Sequence, residues 1–397
     1  MTLFTFLVVS AVILILSVPA LRRKARVASF DPGSFPVAVI TETKPNEPEA
    51  RTAIRLGGEI CWTPENHPNP HVLILGGSGS GKTWTIRHLA QALLRNGYDC
   101  VLFDFHGDLM LSGVETCPIA FDSGFGVNPL EVGLDSRGGG PDPQRFEVLE
   151  QLRNAFRPMG VLQLAVLDSC LKEAYAKAGM RQEDPSTWEL AAPHFGQFET
   201  ELLKRIAAEP EDVRLRGLRA KISPIFDSRI FSKPQAEIPI LRTGKATPGR
   251  GLRLELASLP AALQYLATDT LLKQIFRRRQ IAGVQEAVSL YLMIDETKLC
   301  TPARKDSPLA ALNRLATEGR KFGMGLVVSS QFIGHLGRDV VVNTFTKILM
   351  KVDKTEQTAT ARRFRVEELR LDALRNPGDP LVNFADSNEW KEVRIGH

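Results

Sequence analysis

The chain has little cysteine and no pattern to pair it. Cys61, Cys100, Cys117, Cys170 and Cys300 are odd in number and scattered over 397 residues without a C-x-x-C. This argues against a thiolate zinc site and for a reducing compartment. Net charge is also scarce. Lys and Arg number 50 against 45 Asp and Glu, and four of those cations, Arg22, Arg23, Lys24 and Arg26, fall in residues 1–26, which contain no acid. Of the formal +5, the rest of the chain therefore carries +1, so bulk charge gives no argument for a nucleic-acid partner. Internal repeats and low-complexity tracts are missing, and the length allows two or three domains or one domain with a large insertion.

One long apolar run is present. Residues 3–21, "LFTFLVVSAVILILSVPAL", hold no charge and are long enough to cross a hydrocarbon core of about 30 Å as a helix. A cleaved signal peptide ending near Val18-Pro19-Ala20 is the rival reading. Signal peptides carry their cations before the apolar run, whereas here all of them follow it, which favours a membrane anchor with Arg22 to Arg26 on the cytoplasmic side. The expected location is the inner (cytoplasmic) membrane, single-pass, with the rest of the chain in the cytoplasm, where ATP is available.

The chemistry is concentrated in "HVLILGGSGSGKT". An apolar strand, His71 to Leu75, runs into Gly76, Gly77, Ser78, Gly79, Ser80, Gly81, Lys82 and Thr83, matching GxxxxGK[ST]. Glycines let backbone N–H groups converge on phosphate oxygens, Lys82 reaches the β- and γ-phosphates, and Thr83 offers its hydroxyl to Mg²⁺. Ile86, Leu89, Ala90, Leu93 and Leu94 then recur at helical spacing up to Gly97, a position for a left-handed cap. The cofactors this implies are ATP and Mg²⁺.

A second motif, "SLYLMIDET", ends an apolar run in Asp295 and Glu296. A buried strand would bring Asp295 beside the phosphate loop to hold Mg²⁺, directly or through water, and Glu296 to polarise the attacking water. Downstream, in "LNRLATEGRKFGMGLVVSSQFIGHL", the strand Leu326 to Ser329 delivers Gln331 to the same edge, where a polar group can sense the γ-phosphate. Arg320 has two readings: a solvated cation at a helix end, or an arginine finger acting on a neighbouring subunit's nucleotide.

Around these motifs, "FPVAVITE" and "TAIRLGGEICW" read as leading strands, Cys100 to Phe105 and "PIAFD" as core strands, and "GLRLELAS" as a later strand followed by a helix from Ala267 to Gly283. Residues 141–235 are rich in helix formers, with helical periodicity in "QRFEVLEQLRNAF", "LQLAVLDSCLKEAYAKAG" and "GQFETELLKRIAAE". The expected division is 1–26 anchor and basic flank, 27–70 linker and leading strands, 71–140 first core segment, 141–235 all-helical insertion, and 236–397 second core segment. Trp84, Tyr175 and Trp188 lie among apolar residues and read as core. His106 reads as structural, with an approach to the nucleotide as its alternative. Basic clusters at Arg214, Arg216, Arg219 and Lys221, at Arg277 to Arg279, and at Arg362, Arg363 and Arg365 read as solvated helical faces that permit DNA without requiring it.

The ordered set "HVLILGGSGSGKT", "VLFDFHGDL", "NPLEV", "LYLMIDET" and "EGRKFGMGLVVSSQ", over roughly residues 55 to 350, resembles the HerA/FtsK superfamily of ring-forming ATPases. The similarity is greatest to the TraG/TraD-type coupling and secretion ATPases of conjugation. The resemblance implies an α/β P-loop NTPase fold with a mainly parallel RecA/HerA-like sheet, a helical insertion domain and an N-terminal transmembrane helix. It further implies a homo-hexamer, DNA passing through its centre, and a secretion or relaxosome complex as partner, with Arg320 matching the finger and Gln331 the sensor. Two departures stand out: a single expected span where coupling ATPases carry a longer membrane region, and no recognisable winged-helix DNA reader. The expected function is a membrane-anchored ATPase that translocates DNA. A secretion or assembly ATPase without DNA is the alternative.

Overall fold

Val72–Leu75 forms a strand (β3) that is buried at every residue, as an apolar run covered on both faces must be. In the computed structural model the described residues are 53–135, 138–238, 249–302, 305–307, 310–374, 379–385, 387 and 389–395. The apolar run 3–21, its basic flank and "FPVAVITE" lie outside them. Among the described residues no helix is long and apolar enough to cross a membrane.

The expected single strand over "TAIRLGGEICW" is a hairpin instead. Gly57 and Gly58, both at positive φ, turn the chain between β1 (Ile54–Gly57) and β2 (Ile60–Trp62), which pair antiparallel as a sheet of their own. After β3 comes α1 (Lys82–Arg95), whose Ile86, Leu89, Ala90 and Leu93 are buried, and Gly97 stands at φ 76° as expected of a left-handed cap. Next are β4 (Asp99–Asp104) and β5 (Glu115–Pro118). The strand expected at "PIAFD" is thus displaced: pairing with β6 (Gly251–Glu255) starts at Glu115, on an outer strand with exposed side chains that hydropathy does not mark.

Four helices follow, α2 (Pro141–Ala155), α3 (Val161–Lys177), α4 (Phe195–Ala208) and α5 (Val213–Asp227). They share one continuous apolar core with the sheet, in which Val148, Leu171, Phe198 and Ile222 cluster with Leu254, Leu271 and Leu292. Then come α6 (Ala261–Ile281), β7 (Leu290–Ile294), α7 (Ala311–Glu318), β8 (Met324–Ser330), α8 (Arg338–Asn343), β9 (Thr346–Leu349), α9 (Lys354–Phe364), α10 (Glu368–Ala373), β10 (Leu381–Phe384) and β11 (Lys391–Glu392).

The central sheet has nine strands in the order β11-β10-β9-β3-β8-β7-β4-β6-β5. Pairing is parallel from β9 through to β5 and antiparallel only at β9–β10 and β10–β11. This is the expected mainly parallel α/β sheet. The β9–β11 edge has no counterpart in the sequence expectations.

Tyr175 and Trp188 are buried as expected, but Trp84 is 43% exposed. It is the third residue of α1, and the buried apolar stripe of that helix begins two residues further on, at Ile86. None of the five cysteines is paired.

At the start of β3, His71 is buried and its Nδ1 accepts the Leu326 N–H at 3.0 Å. Burial pushes its imidazole from 6.5 down to about 4, opposed by the Ala316 backbone and assisted by the Arg320 charge. The native ring therefore stays neutral where the unfolded one takes up a proton. Stability should be intact above the unfolded value and fall as pH drops from 6.5 toward about 4, by up to about 1.4 kcal/mol per pH unit. Chemical denaturation across this window should show the slope in the wild type and lose it in His71→Asn.

Candidate active site

Parallel strands end at the same edge of a sheet, and loops there meet. Leu75 lies opposite Ser330, and Ile294 opposite Val328, so the loops after β3, β7 and β8 emerge together. Gly76 donates its N–H to the Ser330 carbonyl at 3.1 Å, and Gly77 to the Lys351 carbonyl at 2.8 Å. A Cβ on Gly76 would stand 2.5 Å from Ser80 Oγ and 2.7 Å from Met350 Cβ, so glycine is required where the loop closes on itself. Gly81 takes φ 103° to start α1.

Lys82 Nζ bends back to donate to the Gly77 carbonyl at 2.9 Å, spanning the loop where phosphates would lie. Thr83 Oγ1 and Asp295 Oδ2 are 3.1 Å apart, and Ser329 Oγ donates to both the Asp295 backbone carbonyl and its Oδ1, the latter at 3.3 Å. A hydroxyl beside a carboxylate suits Mg²⁺, which is commonly held by one or two protein oxygens plus phosphate and solvent. Glu296 Oε1 accepts the Lys298 N–H at 3.3 Å, and Oε2 accepts from Gln331 Nε2 at 2.9 Å. The carboxylate assigned to water activation is thus held by the side chain assigned to sensing the γ-phosphate.

Burial, followed by the Asp108 carboxylate, pushes the Asp295 carboxyl up, against Thr83, Lys82 and Ser329. Burial also lowers the Lys82 ammonium, which Glu296 and then Asp295 oppose. Both directions describe a site short of counter-charge. Lys82, Asp295 and Glu296 are all buried, and a phosphate chain with a divalent cation supplies the missing charges of each sign.

Arg320 is not part of this cluster. It is exposed, in a short 3-10 turn (Gly319–Phe322) between α7 and β8. Met324, at the start of β8, lies opposite Leu290, the start of β7. Arg320 is therefore at the amino edge, separated from the phosphate loop of its own chain by the length of β8, roughly 20 Å for a seven-residue strand. Its guanidinium makes no ion pair among the described residues. Such a side chain cannot serve the nucleotide of its own chain, and it faces outward.

His106, also exposed, contributes its N–H to Asp104 Oδ1 at 3.1 Å. Asp104 is fully buried, pairs with Arg253 at 2.7 Å, and also accepts from Gly107 and Leu109 N–H. That pins the loop carrying Asp108, whose carbonyl accepts from Arg87 of α1. Ser329, Asp108 and the Met350–Asp353 loop all border the site without having been singled out from the sequence. The serine pair before Gln331 was a readable signal for Ser329. A contact from the loop after β9 was not.

Comparison with known proteins agrees with this geometry. The family described as "Helicase HerA, central domain" matches residues 59–110. The DNA double-strand break repair helicase HerA of Saccharolobus solfataricus is 21% identical over 71% of this chain and 54% of its own length. HerA of Sulfurisphaera tokodaii is 23% identical over 71% of this chain and 55% of its own. The chain thus spans about half the length of these curated relatives. Among solved structures, VirB4 of Thermoanaerobacter pseudethanolicus superposes with a TM-score of 0.64 at 18% identity, covering 83% of this chain and 90% of that one. The bacterial conjugative coupling protein TrwB gives 0.62 at 15%, covering 87% and 89%.

The fold is that of the HerA/FtsK-type P-loop ATPases. At the carboxyl edge of this sheet Lys82, Thr83 and Asp295 lie together, with Glu296 beside them. Lys82→Ala should weaken ATP binding and abolish hydrolysis, because the loop loses its ammonium. Glu296→Gln should keep ATP bound with hydrolysis lost, because Thr83 and Asp295 remain. Equilibrium binding of a non-hydrolysable ATP analogue beside phosphate release distinguishes the two outcomes, and a Glu296→Gln variant that fails to bind would reverse the two carboxylate roles.

Proposed function

We propose that this chain is a membrane-anchored, ring-forming ATPase that couples ATP hydrolysis to movement of DNA. The observation that carries the ATPase part is the convergence of Lys82, Thr83, Asp295, Glu296 and Gln331 at one sheet edge. Lys82 and the loop N–H groups orient the triphosphate. Thr83 and Asp295 would hold Mg²⁺, which would supply charge neutralisation. Glu296, fixed by Gln331, takes the proton of the water that bonds to the γ-phosphorus as the bond to the β-phosphate oxygen breaks and ADP leaves. Loss of the γ-phosphate then lets Gln331 move the end of β8.

The ring rests on Arg320. Its place at the opposite edge, exposed and free of ion pairs among the described residues, suits a finger acting between subunits. The anchor rests on the uncharged residues 3–21 and their basic flank, and places the ATPase on the cytoplasmic face of the inner membrane. Support for DNA comes from the HerA likeness and from TrwB, a plasmid coupling protein solved with ADP and Mg²⁺ and with a non-hydrolysable ATP analogue.

One observation favours the alternative of a secretion or assembly ATPase. Part of the expected basic surface is already paired within the chain: Arg214 with Asp212, Arg219 with Glu199, and Arg277 with Glu147. Arg216, Arg362, Arg363 and Arg365 remain exposed and make no ion pair among the described residues. The deciding measurement is the ATPase rate of the full chain with and without double- and single-stranded DNA, alongside its mass in solution. Stimulation by DNA in a hexameric species is expected, and hydrolysis indifferent to DNA would leave the secretion reading.

The finger has its own test. Arg320→Ala should bind ATP normally and lose turnover by about 10³ to 10⁵. Mixing it with Lys82→Ala subunits should restore part of the rate, since some interfaces then pair an intact Arg320 with an intact phosphate loop. An unchanged rate, with stability lower by about 0.3–1 kcal/mol, would make Arg320 a helix-end cation only.

A further inference from the structure

Trp84 is the one tryptophan of four that is exposed. Trp62, Trp188 and Trp390 are 0%, 4% and 6% accessible, whereas Trp84 is at 43%. Its ring is not loose on the surface. It stacks on His88, one helical turn along α1, with centroids 5.7 Å apart and planes at 11°. His88 Nε2 in turn lies 2.9 Å from the Arg55 carbonyl on β1. One face of the indole is thereby backed by an anchored imidazole, and the other is left without a stacking partner among the described residues.

The position of this wall matters. Trp84 follows Thr83 directly, about 100° further round the first turn of α1. Thr83 faces Asp295, on the β7 side of β3. The Trp84–His88 pair turns the other way, to the hairpin of β1, whose Gly57 abuts Arg394 at the β11 edge. On that same side the loop after β9 braces Gly76 and Gly77. A nucleotide with its phosphates in the glycine loop and its metal at Asp295 extends its sugar and base away from β7, toward this aromatic wall.

We propose that Trp84 is the base platform of the nucleotide site, its open face stacking on the purine while His88 holds the opposite face. The proposal rests on the nucleotide-site reading above and adds the group that recognises the base. Stacking on an aromatic face uses the π-surface common to all bases. The platform therefore contributes affinity for a nucleoside over a bare polyphosphate, and no role in cleaving the γ-phosphate.

The test compares ADP with inorganic tripolyphosphate, both with Mg²⁺, on the full-length chain. ADP should shield wild-type tryptophan fluorescence from acrylamide, and tripolyphosphate should not, because only Trp84 is open to the quencher. Trp84→Ala should raise the Kd for ADP by about five- to hundredfold and leave the Kd for tripolyphosphate unchanged, with Trp84→Phe close to wild type. Unaltered ADP affinity in Trp84→Ala, or an equal loss for both probes, would overturn the platform. Shielding by tripolyphosphate as strong as by ADP would do the same. If the wild type binds neither probe, the nucleotide site itself is misread, a failure distinct from that of the platform.

Discussion

The parallel pairing of β3 with β8 and of β8 with β7 is the constraint on which the rest of this molecule depends. It brings the ends of three buried strands to one edge, so the glycine loop, the acidic pair and Gln331 meet although they are distant in sequence. Asp295 and Glu296 follow directly from an apolar strand and Lys82 opens α1, all three buried, where unpartnered groups would be costly. Each has a partner: Asp295 has Thr83 and Ser329, Glu296 has Gln331, and Lys82 has the Gly77 carbonyl. The site is therefore already ordered around the space that the phosphates would take.

The same strand that delivers Gln331 to one edge starts from the turn carrying Arg320 at the other. In the proposed ring, each chain would then offer two half-sites facing opposite ways, joined by the buried strand β8. His71 sits at the Arg320 end, between the start of β3 and the backbone of β8. In the proposed ring this would tie the phosphate loop of one site to the finger offered to the next.

The helical segment is joined to this machinery through buried polar contacts as well as through the common core. Gln151 of α2 donates to Asp269 of α6 at 2.8 Å, Lys273 pairs with the same carboxylate at 2.9 Å, and Asp269 accepts the Ala311 N–H at 3.3 Å, at the start of α7. Helix α7 leads into the Arg320 turn. Lys273 balances the charge of this buried carboxylate and the two N–H donors satisfy its remaining acceptor capacity, so α2, α6 and α7 are held together at Asp269. Beside it lies a cavity of about 270 Å³ lined by Glu147, Lys273, Phe276, Arg277 and Arg314, separate from the nucleotide site.

What the sequence determined by itself was local chemistry with a fixed spacing. The glycine loop, Lys82 and Thr83 are legible because phosphate binding dictates residue types along a continuous stretch, and Asp295 and Glu296 because a buried strand must end before it can carry acids. The mainly parallel sheet was expected from the resemblance that the ordered motifs carry. Only the tertiary structure decided what depends on residues far apart in the chain: that Glu296 bonds Gln331, that Arg320 stands at the edge away from its own site, and that β9 to β11 complete the sheet. It also placed Trp84 on the surface where neighbouring apolar letters pointed to the core. Hydropathy reports the company a residue keeps along the chain, whereas exposure depends on which face of α1 the sheet covers, and nothing in "KTWTIRHLA" specifies where that cover ends.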